Sequence, residues 1–232
     1  MAAPTRRRPD AGPALVADQV LRFDRPERNV HWASAALVGA CLLTAAALYV
    51  PGLAALVGRR EVVKNIHVYA GLAIPLPFLI VRLGPWMTQL AADVRRLGRV
   101  DDMDRRWLRS FGRDPFVENG KFNGGQKLNA AFTLGAVLLL VVTGSIMKWF
   151  GPFPLTWRTG ATFVHDWTAF ALLGVLIGHV AKAFGDRDAL GSMVRGPISR
   201  RWAGRHAPRW LREMGLEVDP ADRPRKARTR SR

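Results

Sequence analysis

Four stretches of this chain contain no Asp, Glu, Lys or Arg: residues 29–58, 65–81, 128–147 and 167–181. A hydrocarbon layer offers the backbone no hydrogen-bond partners, so a segment that crosses it has to satisfy its own amides, and a single segment does that only as a helix. About 20 apolar residues are needed per crossing. The two shorter runs reach that length when Arg82 snorkels to the headgroups and Asp166 stands at a helix mouth. The expected fold is therefore an all-α membrane protein, a four-transmembrane-helix bundle. A mean hydropathy of only +0.01 conceals this, because the segments between the runs are densely charged.

Where the charge lies sets the expected orientation. Of 35 Lys and Arg, six precede the first run, ten lie from Arg82 to Lys127 and fourteen from Lys182 onwards, leaving five in the other two connections. Thirty against five on alternate sides predicts that both termini are cytoplasmic, in a multi-pass protein of the cell (inner) membrane. The net charge of +17 is thus read as a membrane-flanking excess. It forms no nucleic-acid reader motif, and lipid headgroups and a partner subunit are the expected counter-charges. Cys41 stands alone in the first run, which excludes an internal disulfide or a Cys-ligated metal. Arg6, Arg7 and Arg8 lie too far from a run that is too long to be a signal-peptide core, so the first span is expected to stay.

Three regions follow: an N-terminal cytoplasmic arm over 1–28, a helical domain over 29–184 that includes the cytoplasmic connection 84–122, and a basic cytoplasmic tail over 185–232. Helices are predicted over about 29–50, 62–83, from Lys127 to about 150, and 160–184. Pro51-Gly52 ends or kinks the first, and the second contains Pro75 and Pro77, which a membrane helix tolerates when neighbours or water satisfy the freed carbonyls. Trp86, Leu90, Val94 and Leu97 recur at helical spacing opposite Asp93, Arg95 and Arg96. That pattern predicts an amphipathic helix lying on the interface or packed against the bundle. Trp149, Trp157 and Trp167 fit an aromatic belt at the outer edge. The last dozen residues read as disordered.

Four histidines stand near the ends of these spans: His31, His67, His165 and His179. Ionisable side chains are rare at membrane depth and seldom idle. His165 and His179 are 14 residues apart, about 21 Å along one helix face at ~1.5 Å per residue. One helix can thus give an axial ligand to each of two stacked haems. With the N-terminus inside, His31 and His179 lie at the inner depth, while His67 and His165 lie at the outer depth. The expected pairs are His31 with His179 and His67 with His165, and the expected metal ligands are those four residues. One turn beyond each, a small residue (Ala35, Gly71, Ala169 or Ala183) leaves room for a flat porphyrin. Two imidazoles fill both axial positions of an iron, which suits electron transfer. His206, in the basic tail, is expected at the surface.

Particular segments bring a family into view. Glu27-Arg28-Asn29-Val30-His31-Trp32, Lys121-Phe122-Asn123-Gly124-Gly125-Gln126-Lys127 and Ser199-Arg200-Arg201-Trp202, followed by Pro208-Arg209-Trp210, resemble the cytochrome b (gamma) subunit of respiratory formate dehydrogenase over about residues 22–213. The resemblance implies two haem b groups and electrons received from an iron–sulfur (beta) subunit. Through that subunit they would come from a molybdenum- or tungsten-pterin catalytic (alpha) subunit that oxidises formate. It implies delivery to menaquinone beside the inner haem, with Asn123, Gly125, Gln126 and Ala183 as cofactor-binding residues near His179. Asn and Gln amides can donate to a quinone carbonyl, and Gly125 permits close backbone approach. Lys182 departs from the family, which carries an apolar residue there, and is read as snorkelling. Asp166 is read as a solvated helix-mouth residue.

Two other readings compete. A cytochrome b subunit of a hydrogenase or of another quinone-linked oxidoreductase would share the di-haem bundle. A haem-free transporter or assembly protein would use the histidines as a proton path, and would purify without haem.

Overall fold

The computed structural model describes residues 18–84, 87–149 and 151–219. The expected disorder of the last dozen residues, most of the N-terminal arm, and Trp86 of the amphipathic pattern lie outside them. Among the described residues, four helices are long and apolar enough to cross a membrane: 25–49, 60–83, 124–148 and 155–185.

Helix α1 (Arg25–Tyr49) begins four residues before the predicted start. Asp24 caps it: its carboxylate accepts from the Glu27 N–H, and the Glu27 carboxylate accepts from the Asp24 N–H, both at 2.9 Å. That reciprocal box satisfies two amides a helix start would otherwise strand. Val50 stops α1, and Pro51 opens the short α2 (Pro51–Val57), which ends on Gly58 at φ 63°. The second span is two pieces, α3 (Arg60–Ala73) and α4 (Leu76–Leu83). Pro75 and Pro77 lack the N–H groups that would continue the ladder. The Ile74 N–H bonds to Gly71 O at 3.3 Å instead, and the helix resumes at Leu79 N–H to Pro75 O.

On the far side of α4 come α5 (Met87–Gly98) and α6 (Asp102–Ser110), the latter capped by an Asp101–Asp104 box. Helix α7 (Gly124–Lys148) starts earlier than predicted, because Asn123 and Gln126 form its own capping box. Helix α8 (Leu155–Gly185) also starts five residues early, so Asp166 lies about three turns inside it rather than at its mouth. There it accepts a 2.6 Å hydrogen bond from the Tyr49 hydroxyl of α1. Helices α1 and α3 pack as one hairpin, α7 and α8 as another, and α3 against α7 joins them. Their outward flanks stay apolar and uncovered, as at Leu43, Ile80, Leu134 and Phe170. Such surface is stable only against lipid or another apolar partner.

In α5 the polar face differs from the sequence pattern. Asp93 is buried and Val94 is 44% exposed. Asp93 turns inwards because a buried ammonium, Lys121, needs its carboxylate.

The stretch after residue 184 is more ordered than a tail. It forms α9 (Arg187–Arg195), β2 (Pro197–Ser199), α10 (Arg200–His206) and α11 (Pro208–Glu213). Strand β2 pairs antiparallel with β1 (Gln19–Leu21), Val20 opposite Ile198. Gly196, at φ 103°, lets its carbonyl accept from the N–H groups of both Arg22 and Phe23. A Cβ there would stand 2.8 Å from Phe23 O. Val20, Ile198, Ala203, Ala207, Trp210, Leu211 and Val218 make the tightest apolar core of the described residues. It lies where water, not lipid, supplies the hydrophobic drive. His206 is exposed and stacks on Trp202.

Candidate functional site

The bundle brings the four span histidines together as two ring pairs. His31 of α1 faces His179 of α8 with ring centroids 6.3 Å apart. His67 of α3 faces His165 of α8 at 6.2 Å. Each pair joins helices from different hairpins, so the spacing is set by bundle packing. A transition-metal–imidazole bond is about 2 Å long. The nitrogen lies about 1.2 Å from its ring centroid, so two imidazoles trans across one metal hold their centroids a little over 6 Å apart. Both separations fit one iron between two rings. Each site offers only two protein ligands, and a haem would supply the four further nitrogens in a plane. The residues present therefore fit two haem groups, one at each depth.

Hydrogen bonding fixes the ring tautomers of the His67–His165 pair. Nδ1 of His67 lies 3.1 Å from Cys41 O, which can only accept, so Nδ1 carries the proton. Thr44 Oγ1 lies 3.0 Å from the same nitrogen, and its own hydroxyl donates to Ala40 O at 2.6 Å. His165 repeats the pattern: Nδ1 is 2.9 Å from Thr143 Oγ1, which donates to Leu139 O at 2.7 Å. In both rings Nε2 is left with its lone pair for a metal. A donor bond from the far nitrogen fixes ring orientation and raises ligand basicity. Gly144 completes the outer site, since a Cβ there would stand 3.3 Å from His165 Cε1.

These supporting residues escaped the sequence analysis. The available signal was the placement of Thr44 and Thr143 as hydroxyls inside otherwise apolar spans, where an unpaired polar atom is costly. Thr143→Val, which removes the acceptor while keeping the shape, is expected to weaken retention of a haem held by His67 and His165 by about 10- to 100-fold. Haem loss to apomyoglobin from the purified variant measures it. Unchanged retention would mean that Thr143 only closes its own helix hydrogen bond.

At the other pair, His31 meets the Trp32 ring edge-on at 5.3 Å, and Trp32 Nε1 donates to Met193 O at 2.9 Å. The Arg28 guanidinium reaches Val194 O nearby. Helix α9 is thereby held against the start of α1. Ala183 follows His179 by one turn and is half-buried, and Lys182 is exposed at the same end.

The Asn123–Gln126 segment is a helix start with both amides engaged. Asn123 Oδ1 accepts from the Gln126 N–H at 2.9 Å, and Gln126 Oε1 accepts from the Asn123 N–H at 3.0 Å. The capping bonds use only the oxygen of each amide, so neither draws on its NH2 donor. Gly125 has a second reason to be glycine: a Cβ there would stand 2.4 Å from the Trp107 ring. Helix α6 is thus pressed across the first turn of α7. Lys127 ties the same contact, donating to Asp104 Oδ2 at 2.5 Å and to Arg99 O at 2.8 Å.

Comparison with known proteins follows the same outline. A family model described as prokaryotic cytochrome b561 matches residues 22–196. The chain is 28% identical over 211 residues to the formate dehydrogenase cytochrome b556 subunit of Haemophilus influenzae, covering 85% of this chain and 84% of that protein. It is 25% identical over 207 residues to the formate dehydrogenase cytochrome b556(fdo) subunit of Escherichia coli, covering 85% and 94%. To the nitrate-inducible formate dehydrogenase cytochrome b556(Fdn) subunit of Escherichia coli it is 26% identical over 204 residues, covering 84% and 91%.

Proposed function

This chain belongs to the prokaryotic cytochrome b561 family, and from that premise we propose that it is the membrane electron-transfer subunit of a formate dehydrogenase. As a multi-pass membrane cytochrome b it implies haem b. We assign two such groups, an outer one held by His67 and His165 and an inner one held by His31 and His179. The observation that carries this is the pair of opposed imidazole couples, 6.2 and 6.3 Å between centroids, at the two depths that α8 spans. Two-imidazole ligation leaves iron no open position, so the group supplies one-electron transfer rather than substrate binding.

The rest of the chain sets the direction. Basic residues flank the termini and the 84–122 connection, which supports cytoplasmic placement of both termini and of the inner site. Electrons enter at the outer site from an iron–sulfur subunit, which receives them from a pterin-bearing subunit that oxidises formate. They leave at the inner site to menaquinone. Asn123 and Gln126 offer amide donors to a quinone carbonyl, oriented by the capping box. Ala183 keeps the neighbouring surface low, whereas the space over Gly125, expected to admit the quinone, is filled by the Trp107 ring.

Haem quantitation with a reduced-minus-oxidised visible spectrum tests the reading on the isolated chain. Two b-type haems per chain are expected, both reducible by formate in the whole complex. A folded, haem-free preparation from haem-replete cells would overturn it in favour of a transporter or assembly role. Two haems that formate cannot reduce, within a complex, would keep the cytochrome and reassign its electron donor.

A further inference from the structure

Helix α8 gives one imidazole to each histidine pair, and beside each imidazole it carries a charge of opposite sign. Asp166 adjoins His165, and Lys182 follows His179 by three residues, one turn on along the same face. The two charges stand about 24 Å apart along the helix at ~1.5 Å per residue. Ionisable side chains in a membrane helix are costly, and these two have no part in holding either pair together.

The surroundings of each charge leave its sign in place. Asp166 Oδ1 accepts from the Tyr49 hydroxyl of α1 at 2.6 Å, a neutral partner. Arg158 lines the same groove as Asp166 but belongs two turns farther from His165. Asp186, the acid one turn beyond Lys182, is committed elsewhere: its carboxylate accepts from Trp202 Nε1 and from the Ala189 N–H, both at 3.0 Å. The opposing helices do not reverse the pattern. Lys64, one turn before His67, is balanced by Glu61 at 2.6 Å. Glu27, one turn before His31, lies 3.8 Å from the Lys121 ammonium. Arg28, also one turn before His31, donates to the backbone carbonyls of Asp24 and Val194 and so adds a second cation on the side of Lys182.

We propose that Asp166 and Lys182 set the order of the two haem potentials. Asp166 lowers the potential of the haem held by His67 and His165, and Lys182 raises that of the haem held by His31 and His179. This rests on the two-haem reading above. A ferric haem carries one more positive charge than a ferrous one, so a nearby carboxylate favours the ferric form and an ammonium the ferrous. A unit charge about 10 Å from an iron, at an effective dielectric of about 20, shifts a one-electron equilibrium about tenfold. Electrons then run downhill from the first haem to the second. On the orientation proposed above, that gradient offsets the membrane potential, which opposes electrons moving inwards.

The test is a redox titration of the full-length, haem-loaded chain in detergent, followed by its b-type absorbance. Wild type should show two midpoints, and His67→Ala only the higher. Asp166→Asn keeps an oxygen for the Tyr49 hydroxyl and removes the charge. It is expected to raise the lower midpoint by about 59 mV, the one-electron equivalent of a tenfold shift, and to leave the higher in place. Lys182→Gln should lower the higher midpoint alone, by about three- to tenfold in the same equilibrium. Asp166→Glu and Lys182→Arg, which keep the charges, should keep the wild-type values. A midpoint unmoved by its own neutral variant overturns the proposal, as do equal shifts of both midpoints or two wild-type haems that titrate at one potential. Should Asp166→Asn shed its haem, Lys182→Glu carries the test from the other end: it should lower the higher midpoint further than Lys182→Gln, and an unmoved value overturns the proposal. A wild-type chain without two haems would instead remove the two-haem reading, and that failure shows before any variant is made.

Discussion

Replacing His67 with alanine is expected to leave one haem per chain in the purified protein and to halve the reduced-minus-oxidised b-type absorbance. The outer iron would keep His165 but lose its second imidazole. A haem held by a single imidazole, with a cavity where the other ring stood, is poorly retained through purification. The inner site should survive, because it draws its ligands from α1 and α8 and lies about 21 Å along α8 from the outer one. In the whole complex the effect on function should be complete. On the route proposed above, electrons would lose their first stop, and formate would no longer reduce the inner haem, although a small reductant added directly would. Two haems remaining in His67→Ala would show that the His67–His165 couple holds no iron.

The second large effect concerns the first turn of α7. Lys127 and Asp104 are buried to 7% and 4% side-chain exposure and meet at 2.5 Å. Asp104 also accepts from the Asp101 N–H in the α6 capping box at 3.0 Å. Lys127→Met removes the cation and strands a carboxylate away from water, a change that costs about 3–5 kcal/mol. Thermal unfolding in detergent should show it as a clear fall in midpoint. Adding Asp104→Asn to Lys127→Met removes the stranded charge while keeping an oxygen for the cap, and should recover most of the loss. No recovery would place the damage elsewhere in the turn. The turn also carries Asn123 and Gln126, so under the quinone role proposed for them quinone-linked rates should fall along with stability.

The bundle was legible in the sequence because lipid imposes one strong rule, charge-free runs of a given length, and this chain obeys it four times. The starts of α1 and α7 were less legible, since their first turns are defined by caps, and α8 opens after Pro154 with no side-chain cap at all. Asp24 and Asn123 both carried the box spacing, with Glu27 and Gln126 three residues on, yet a charge count stops at the charges inside that turn. The inward face of α5 was misread for a related reason. Asp93 belongs on a polar face by pattern, and only Lys121, 28 residues away, explains its burial. At the histidines, the residue types and depths could be read from spacing. Thr44, Thr143 and Gly144 could not, because what matters is which neighbouring ring each of them meets.

The antiparallel β1–β2 couple has a consequence for biogenesis. Gln19–Leu21 finds Pro197–Ser199 only after all four membrane helices have been synthesised and inserted. The earliest segment therefore waits for nearly the last, and Trp210 closes the knot behind them. A nascent chain halted before residue 197 would present its four long apolar helices without the strand pair that ties their two flanking segments together.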